Sequence, residues 1–378
     1  MNRNIEFDLY ALKSPYYIID ESLVIKNLEI LMHVKKATGC KILLAQKAFS
    51  MFSMYPLISR YLDGTCSSGL FEAKLSDKYF GKENHVFSPV YFEDEFEEIS
   101  KICDCIIFNS LAQWEKFGKK TTGNACGIRI NPELSTQNNP IYDPCSPKSR
   151  LGVTIGNFPS IVPEGINGLH FHTLCEQNSD ALLVTLNAVE EKFGKMLHKM
   201  QWLNFGGGHH ITRSDYDINS LIVAINRIKE KYKLQVYIEP GEAVVLNAGF
   251  LVAEVCDIIE NNGKIAVLDT SAACHMPDVL EMPYRPQIVG ADEAEKLTHS
   301  YRLAGSTCLA GDIIGDYSFE NPLQIGQRLV FCDMAHYSMV KNNTFNGMNL
   351  PSIAIFNQNK EIHLVRSFGY ADFKSRLS

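Results

Sequence analysis

Residues 166–239 decide the fold. The stretch opens with INGLHFH (Ile166–His172), a short apolar run. Asn178–Lys199 follows, with Leu182, Leu183, Leu186, Val189, Phe193, Met196 and Leu197 on one stripe. WLNF (Trp202–Phe205) is apolar again, and Asp217–Tyr232 repeats the helical spacing through Ile218, Leu221, Ile222, Ile225 and Ile228. VYIE (Val236–Glu239) closes the stretch. Short apolar runs suit strands buried on both faces of a parallel sheet, and stripes at helical spacing suit the helices that cover it. Toward the N-terminus lie KILLAQ (Lys41–Gln46), GTCS (Gly64–Ser67), HVFS (His85–Ser88), CIIFN (Cys105–Asn109) and ACGIRI (Ala125–Ile130). Eight such runs alternating with helices predict an α/β fold, a (β/α)8 TIM barrel. The Pro- and Asn-rich stretch Asn131–Pro163 reads as one long irregular excursion.

Past Asn247 the pattern changes. Leu251–Ile259, the turn Glu260-Asn261-Asn262-Gly263 and Lys264–Asp269 read as a β-hairpin, with further strands at Arg328–Cys332, Ser352–Phe356 and Glu361–Arg366. The expected division is a barrel over 16–246 and a second, mostly β domain over 247–378, joined by an N-terminal strand within 1–15.

The 378 residues carry 36 Lys+Arg against 43 Asp+Glu, a net charge of −7 with no long run of either sign. That balance argues against nucleic acid as a partner. The 11 cysteines are scattered without a C-x-x-C pair, which disfavours a disulfide scaffold or a zinc ribbon. No basic, apolar leader opens the chain, and no apolar run approaches the ~18–20 residues of a membrane helix. A cytoplasmic enzyme with no membrane partner is the expectation.

In barrels of this kind the active site lies at the C-terminal ends of the strands. Those ends carry Lys47, Cys66-Ser67-Ser68, Ser88, Asn109, Arg129, His170 and His172, Gly206-Gly207-Gly208 and Glu239-Pro240-Gly241. Lys47 is either a snorkelling lysine or a desolvated amine able to form a Schiff base. The three glycines form either a plain tight turn or a set of N–H groups for a phosphate. Glu239 could hold a protonated ring nitrogen or cap a neighbouring segment. His170 and His172 share a strand face and could ligate a metal ion. Metal-dependent hydrolases on this barrel carry that pair on the first strand, however, and an aspartate on the eighth. Here lysine ends the first strand and glutamate the eighth, so no metal is expected. In the β domain, GSTCLAGD (Gly305–Asp312) sets Cys308 and Asp312 among small residues.

Several segments together resemble one family. They are LLAQKAFS around Lys47, GLHFHTLCE at 168–176, LNFGGGHHIT at 203–212 and YIEPGEAV at 237–244. LDTSAACHMPD at 268–278, STCLAGD at 306–312 and HYSMVKNNTFNG at 336–347 continue the series. In this order they resemble the fold-type III (alanine-racemase-like) pyridoxal-phosphate decarboxylases, which include ornithine and diaminopimelate decarboxylases. Within that group the chain is most similar to the carboxynorspermidine/carboxyspermidine decarboxylase branch. The resemblance implies decarboxylation of a carboxylated polyamine to norspermidine or spermidine. Another basic amino acid as substrate, or a catalytically silent regulatory homologue, are the alternatives.

The resemblance also implies roles. Lys47 would bind pyridoxal 5'-phosphate covalently, His172 would stack on its ring, and Glu239 would keep the ring nitrogen protonated. Gly206, Gly207, Gly208 and Gly241 would offer N–H groups to the phosphate, with Tyr337 adding a hydroxyl. Cys175 matches a small hydroxyl position near the phosphate, and Arg129 a basic cofactor contact. Cys308 would protonate Cα from the partner subunit of a homodimer. Where ornithine and diaminopimelate decarboxylases usually have arginine after Glu-Pro-Gly, this chain has Glu242, which suits a cationic tail. Glu176, His275, Asp278 and Asp312 are the other candidates to line that tail, whereas His209 and His210 are expected to be structural.

Overall fold

The computed structural model describes residues 5–137 and 139–378. The chain divides into two units, Asn27–Val244 and Met1–Lys26 with Val245–Ser378. The first strand, β1 (Tyr16–Asp20), belongs to the second of these.

Eight parallel strands close a barrel in Asn27–Val244: β2 (Lys41–Ala45), β3 (Gly64–Ser67), β4 (Glu83–Ser88), β5 (Cys105–Phe108), β6 (Ala125–Arg129), β7 (Gly168–His170), β8 (Trp202–Asn204) and β9 (Gln235–Ile238). Closure is made by β2 on β9, with Lys41 opposite Tyr237 and Ile42 opposite Ile238. Each strand overlaps one of the short runs, and most of them are apolar because a strand buried on both faces admits few polar residues. One end of the interior is plugged by Leu43, Cys105, Ile107, Trp202 and Tyr237. Gly127 and Gly168 admit the Trp202 ring: a Cβ on Gly168 would come within 1.9 Å of it. At the same end Glu83 pairs with Lys41 and lies 3.1 Å from His85 Nε2.

The stripes form the helices Ser179–Leu197 and Ile218–Tyr232, and the Asp217 carboxylate caps the second by accepting Ser220 N–H at 3.0 Å. The excursion after β6 returns at Val153, which pairs with Ile130 and extends the strand end.

The other unit contains β10 (Gly249–Glu260), β11 (Lys264–Leu268), β12 (Ala291–Glu293), β13 (His299–Ala304), β14 (Ile313–Phe319), β15 (Arg328–Cys332), β16 (Ser352–Phe356) and β17 (Ile362–Arg366). With β1 they form a 9-stranded sheet in the order β12-β14-β13-β11-β10-β1-β16-β17, and β15 also pairs with β10. The hairpin foreseen at 251–269 is β10–β11, with Glu260 opposite Lys264.

The boundary differs from the expected one. Tyr16–Asp20 pairs antiparallel to β10 and parallel to β16, so it lies in the sheet and not in a barrel beginning at residue 16. Its side chains alternate between two cores. Tyr17 packs with Leu251, Val255 and Phe331, while Tyr16 and Ile18 pack with Phe250, Val252 and Phe356. Burial on both faces is shared with the barrel strands, and the pairing partners separate the two cases. Among the described residues, no helix is long and apolar enough to cross a membrane.

Candidate active site

The turn that follows β2 sets Lys47. Gln46 is fully buried, its amide donating to Ser67 Oγ at 2.8 Å and to the Glu72 carbonyl at 2.9 Å. Its carbonyl oxygen accepts from Tyr55 at 2.7 Å. Lys47, next in the chain, is thereby turned over the barrel end, with Nζ 3.4 Å from His172 Nε2. Water reaches this side chain, so its desolvation is partial. Burial and the Arg129 charge both lower its pKa, and the charge acts whether or not the cavity is wet.

His172 Nδ1 accepts the Gly207 N–H at 2.8 Å, which puts the proton of the neutral ring on Nε2, facing Lys47. Burial, Lys47 and Arg129 hold this imidazole well below its ordinary pKa. Arg129 is buried, donates Nη2–H to the His172 carbonyl at 2.9 Å and lies 4.6 Å over the Phe87 ring. Burial pulls its pKa down to about 10, so it stays charged at neutral pH.

Glu239, just past β9, is 5% exposed. Its Oε1 accepts from the Asn204 amide at 2.7 Å, and its Oε2 lies 3.5 Å from His170 Nε2. Burial opposes ionisation, but His170, the Cys66 thiol and Asn204 outweigh it and hold the carboxyl well below its usual range. His170 is itself lowered by burial, so the charge of this pair resides on the carboxylate. The two histidines of H-x-H therefore face different partners and do not converge on one ion.

The glycine turn differs from its expected use. Gly206 N–H donates to Asn204 Oδ1 at 2.8 Å and Gly207 N–H to His172, so neither is left for a phosphate. The glycines are demanded by backbone crowding: a Cβ would lie 2.4 Å from the Phe171 carbonyl at Gly206, 2.3 Å from the Glu239 carbonyl at Gly207 and 1.9 Å from the Leu174 carbonyl at Gly208. At Gly241 a Cβ would meet Ala48 at 2.7 Å.

A second group forms beside these residues. The Cys175 thiol is pushed up to about 11 by burial, then by Glu176 and Glu242. His210 Nε2 lies 3.1 Å from Glu242 Oε2, and ligand atoms of Glu176, His210 and Glu242 fall within 4.8 Å of one another, a spacing open to a metal ion. Arg213, always a donor, approaches His210 Nδ1 at 3.5 Å. The ring proton is thereby directed to Nε2 and toward Glu242, which favours a hydrogen bond to the carboxylate over metal ligation.

The remaining candidates lie in the sheet unit. His275 is fully buried, accepts from Thr270 Oγ1 at 2.9 Å and donates Nε2–H to the Asn349 carbonyl at 3.0 Å. Burial brings its pKa down to about 4. With both nitrogens engaged, His275 is a brace and not the tail contact expected of it. Asp312 is similarly occupied, accepting from Thr307 Oγ1 at 2.6 Å and Ala273 N–H at 3.2 Å. Asp278 pairs with Lys341. Cys308 is exposed on its loop, its N–H donating to Asn346 Oδ1 at 2.6 Å. Tyr337 adopts φ 52°, ψ −42°, a strained conformation of the kind concentrated at functional sites.

Nothing in the sequence assigned a role to Asn204; Cys66 was a strand-end residue, and His170 a strand-end residue considered with His172 as a metal pair. The signal lay in side-chain parity. Asn204 precedes Gly206 by two positions and His170 precedes His172 by two, so both point inward one layer deeper.

Residues 16–335 match the family model described as the pyridoxal-dependent decarboxylase, C-terminal sheet domain. The chain belongs to the pyridoxal-dependent decarboxylases. A carboxynorspermidine/carboxyspermidine decarboxylase of Campylobacter jejuni is 44% identical over 376 residues, covering 97% of this chain and 98% of that protein. A carboxyaminopropylagmatine decarboxylase of Synechocystis sp. is 42% identical over 373 residues, covering 98% and 96%. The crystal structure of Campylobacter jejuni carboxynorspermidine decarboxylase complexed with norspermidine superposes with a TM-score of 0.91 at 43% identity, covering 97% of this chain and 100% of that one.

The site fits the cofactor of the pyridoxal-dependent decarboxylases. A lysine of lowered pKa suits an aldehyde, and a buried, ionised carboxylate suits a protonated ring nitrogen. The chain is a carboxy-lyase dependent on pyridoxal phosphate.

Proposed function

We propose that this decarboxylase acts on carboxynorspermidine and/or carboxyspermidine, releasing norspermidine or spermidine in polyamine biosynthesis. The carrying observation is near-full-length similarity, at 44% identity, to a protein of that name.

Pyridoxal phosphate, when bound, accepts the electron pair left behind by departing CO2. The chain supplies the rest. Lys47 would hold the cofactor through its aldehyde, His172 would cover the ring and Glu239 would hold its nitrogen. Arg129 adds positive charge near both. Gly208 and Gly241 would offer the phosphate backbone N–H groups, and Tyr337 and Cys175 are candidates to add a hydroxyl and a thiol to it. Cys308 of the partner subunit donates the proton to Cα, which makes the active species a homodimer. Glu176 and Glu242 supply negative charge for the ammonium groups of the tail, with Asp278 and Asp312 as further candidates, and charge-assisted hydrogen bonds favour that pairing. Eleven scattered cysteines without a C-x-x-C pair suit a reducing, cytoplasmic setting.

The 42% identical relative that acts on carboxyaminopropylagmatine supports a second reading, in which the tail ends in a guanidinium. Measuring kcat/KM for carboxynorspermidine, carboxyspermidine and carboxyaminopropylagmatine tests the proposal. The first two should be preferred over the third, and over ornithine and diaminopimelate, by at least about tenfold, equivalent to ~1.4 kcal/mol.

A further inference from the structure

The two oxygens of Glu239 are addressed from different strands. Asn204, ending β8, holds Oε1 at 2.7 Å, and His170, ending β7, faces Oε2 at 3.5 Å. His170 is 1% exposed, and neither of its ring nitrogens has a close hydrogen-bond partner among the described residues. An unsatisfied buried polar group destabilises the fold, so an apolar side chain would be the cheaper filling unless the imidazole has a task. Its ring is fixed against Phe87, with centroids 5.5 Å apart and planes at 26°. Phe87 also carries the Arg129 guanidinium at 4.6 Å.

The charged and titratable groups facing His170 are Glu239, Arg129, Lys47 and His172. Arg129 and Lys47 oppose protonation of the ring. The neutral imidazole can still meet Glu239 as a donor through Nε2–H, and the 3.5 Å gap closes to hydrogen-bond length with a small shift.

We propose that His170 is a positioning residue for Glu239: its Nε2–H to Oε2, with the Asn204 amide on Oε1, fixes the direction in which the carboxylate meets the ring nitrogen. The inference rests on the assignment of Glu239 to that nitrogen, and the test separates the two.

His170→Phe keeps the volume and the stack on Phe87 but removes the N–H, whereas His170→Gln can return an amide near the position of Nε2. Pyridoxal phosphate affinity is read by fluorescence titration of the cofactor-free protein, and kcat and KM are measured on the loaded enzyme. His170→Phe should weaken cofactor binding about tenfold and lower kcat about 10- to 100-fold, with KM moving less than about threefold. His170→Gln should recover most of both. In a Glu239→Ala background, His170→Phe should change the affinity by less than about twofold, because it acts through the missing carboxylate. An equal loss in both backgrounds would mean a merely structural histidine and would overturn the proposal. So would a silent His170→Phe where Glu239→Ala is damaging. If Glu239→Ala itself changes neither quantity, the assignment of Glu239 fails and this inference falls with it. His170→Asn, too short to reach Oε2, serves the same comparison if His170→Phe does not fold.

Discussion

Lys47 Nζ and His172 Nε2 face each other at 3.4 Å, while the opposite nitrogen of the same ring takes the Gly207 N–H at 2.8 Å. One imidazole therefore connects the turn after β2 to the turn after β8. Its orientation is set by the glycine turn, and its proton points at the amine.

Lys47→Ala should abolish the borohydride-trapped adduct between protein and pyridoxal phosphate and reduce turnover by about 10³-fold or more. Mass spectrometry of the trapped protein checks the first, and CO2 release the second.

The lowered pKa of Lys47 has a definite sign. The unprotonated fraction rises with pH, so the trapping rate of the cofactor-free protein should reach half its maximum below the ordinary 10.5. Arg129→Leu removes one of the two causes and should move that midpoint upward. A midpoint at or above 10.5 in the wild type would contradict the electrostatic account.

Glu83 governs acid stability at the other end of the barrel. Burial works against its ionisation, but His85 and Lys41 outweigh burial and bring its pKa down to about 2 from 4.5. A carboxyl lowered in the folded state stabilises above its unfolded pKa and loses that contribution as pH falls through the folded value. Glu83→Gln should therefore cost about 1–3 kcal/mol at pH 7. The difference from wild type should shrink between about pH 4.5 and 2, as measured by denaturant unfolding.

Gly208→Ala should prevent correct folding or cost several kcal/mol, roughly 3 or more, because it combines positive φ with a rigid carbonyl in the way. The φ is 81° and the blocking atom is the Leu174 oxygen at 1.9 Å. Thermal melting checks this, and an Ala variant as stable as wild type would be inconsistent with the turn.

The barrel was legible because its strands are buried on both faces, so KILLA, CIIF and WLN announce themselves without alternation. Lys47, His172 and Glu239 became candidates because they end such runs. Tyr16–Asp20 fell on the barrel side of the expected boundary, because its pairing with β10 and β16 in the sheet joins segments far apart in sequence. The use of the Gly206 and Gly207 N–H groups was hidden because it depends on two side chains, Asn204 and His172, from different strands. His275 shows a further limit: a polar residue in a family-like motif can be spent entirely on Thr270 and Asn349. No spacing rule reveals where a ring nitrogen points.

The most direct measurement is product analysis by the loaded enzyme across a panel of carboxynorspermidine, carboxyspermidine, carboxyaminopropylagmatine, ornithine and diaminopimelate. The account predicts that norspermidine or spermidine forms with the highest kcat/KM and that Lys47→Ala abolishes it. Preferred release of CO2 from carboxyaminopropylagmatine, ornithine or diaminopimelate, or turnover that survives Lys47→Ala, would contradict it.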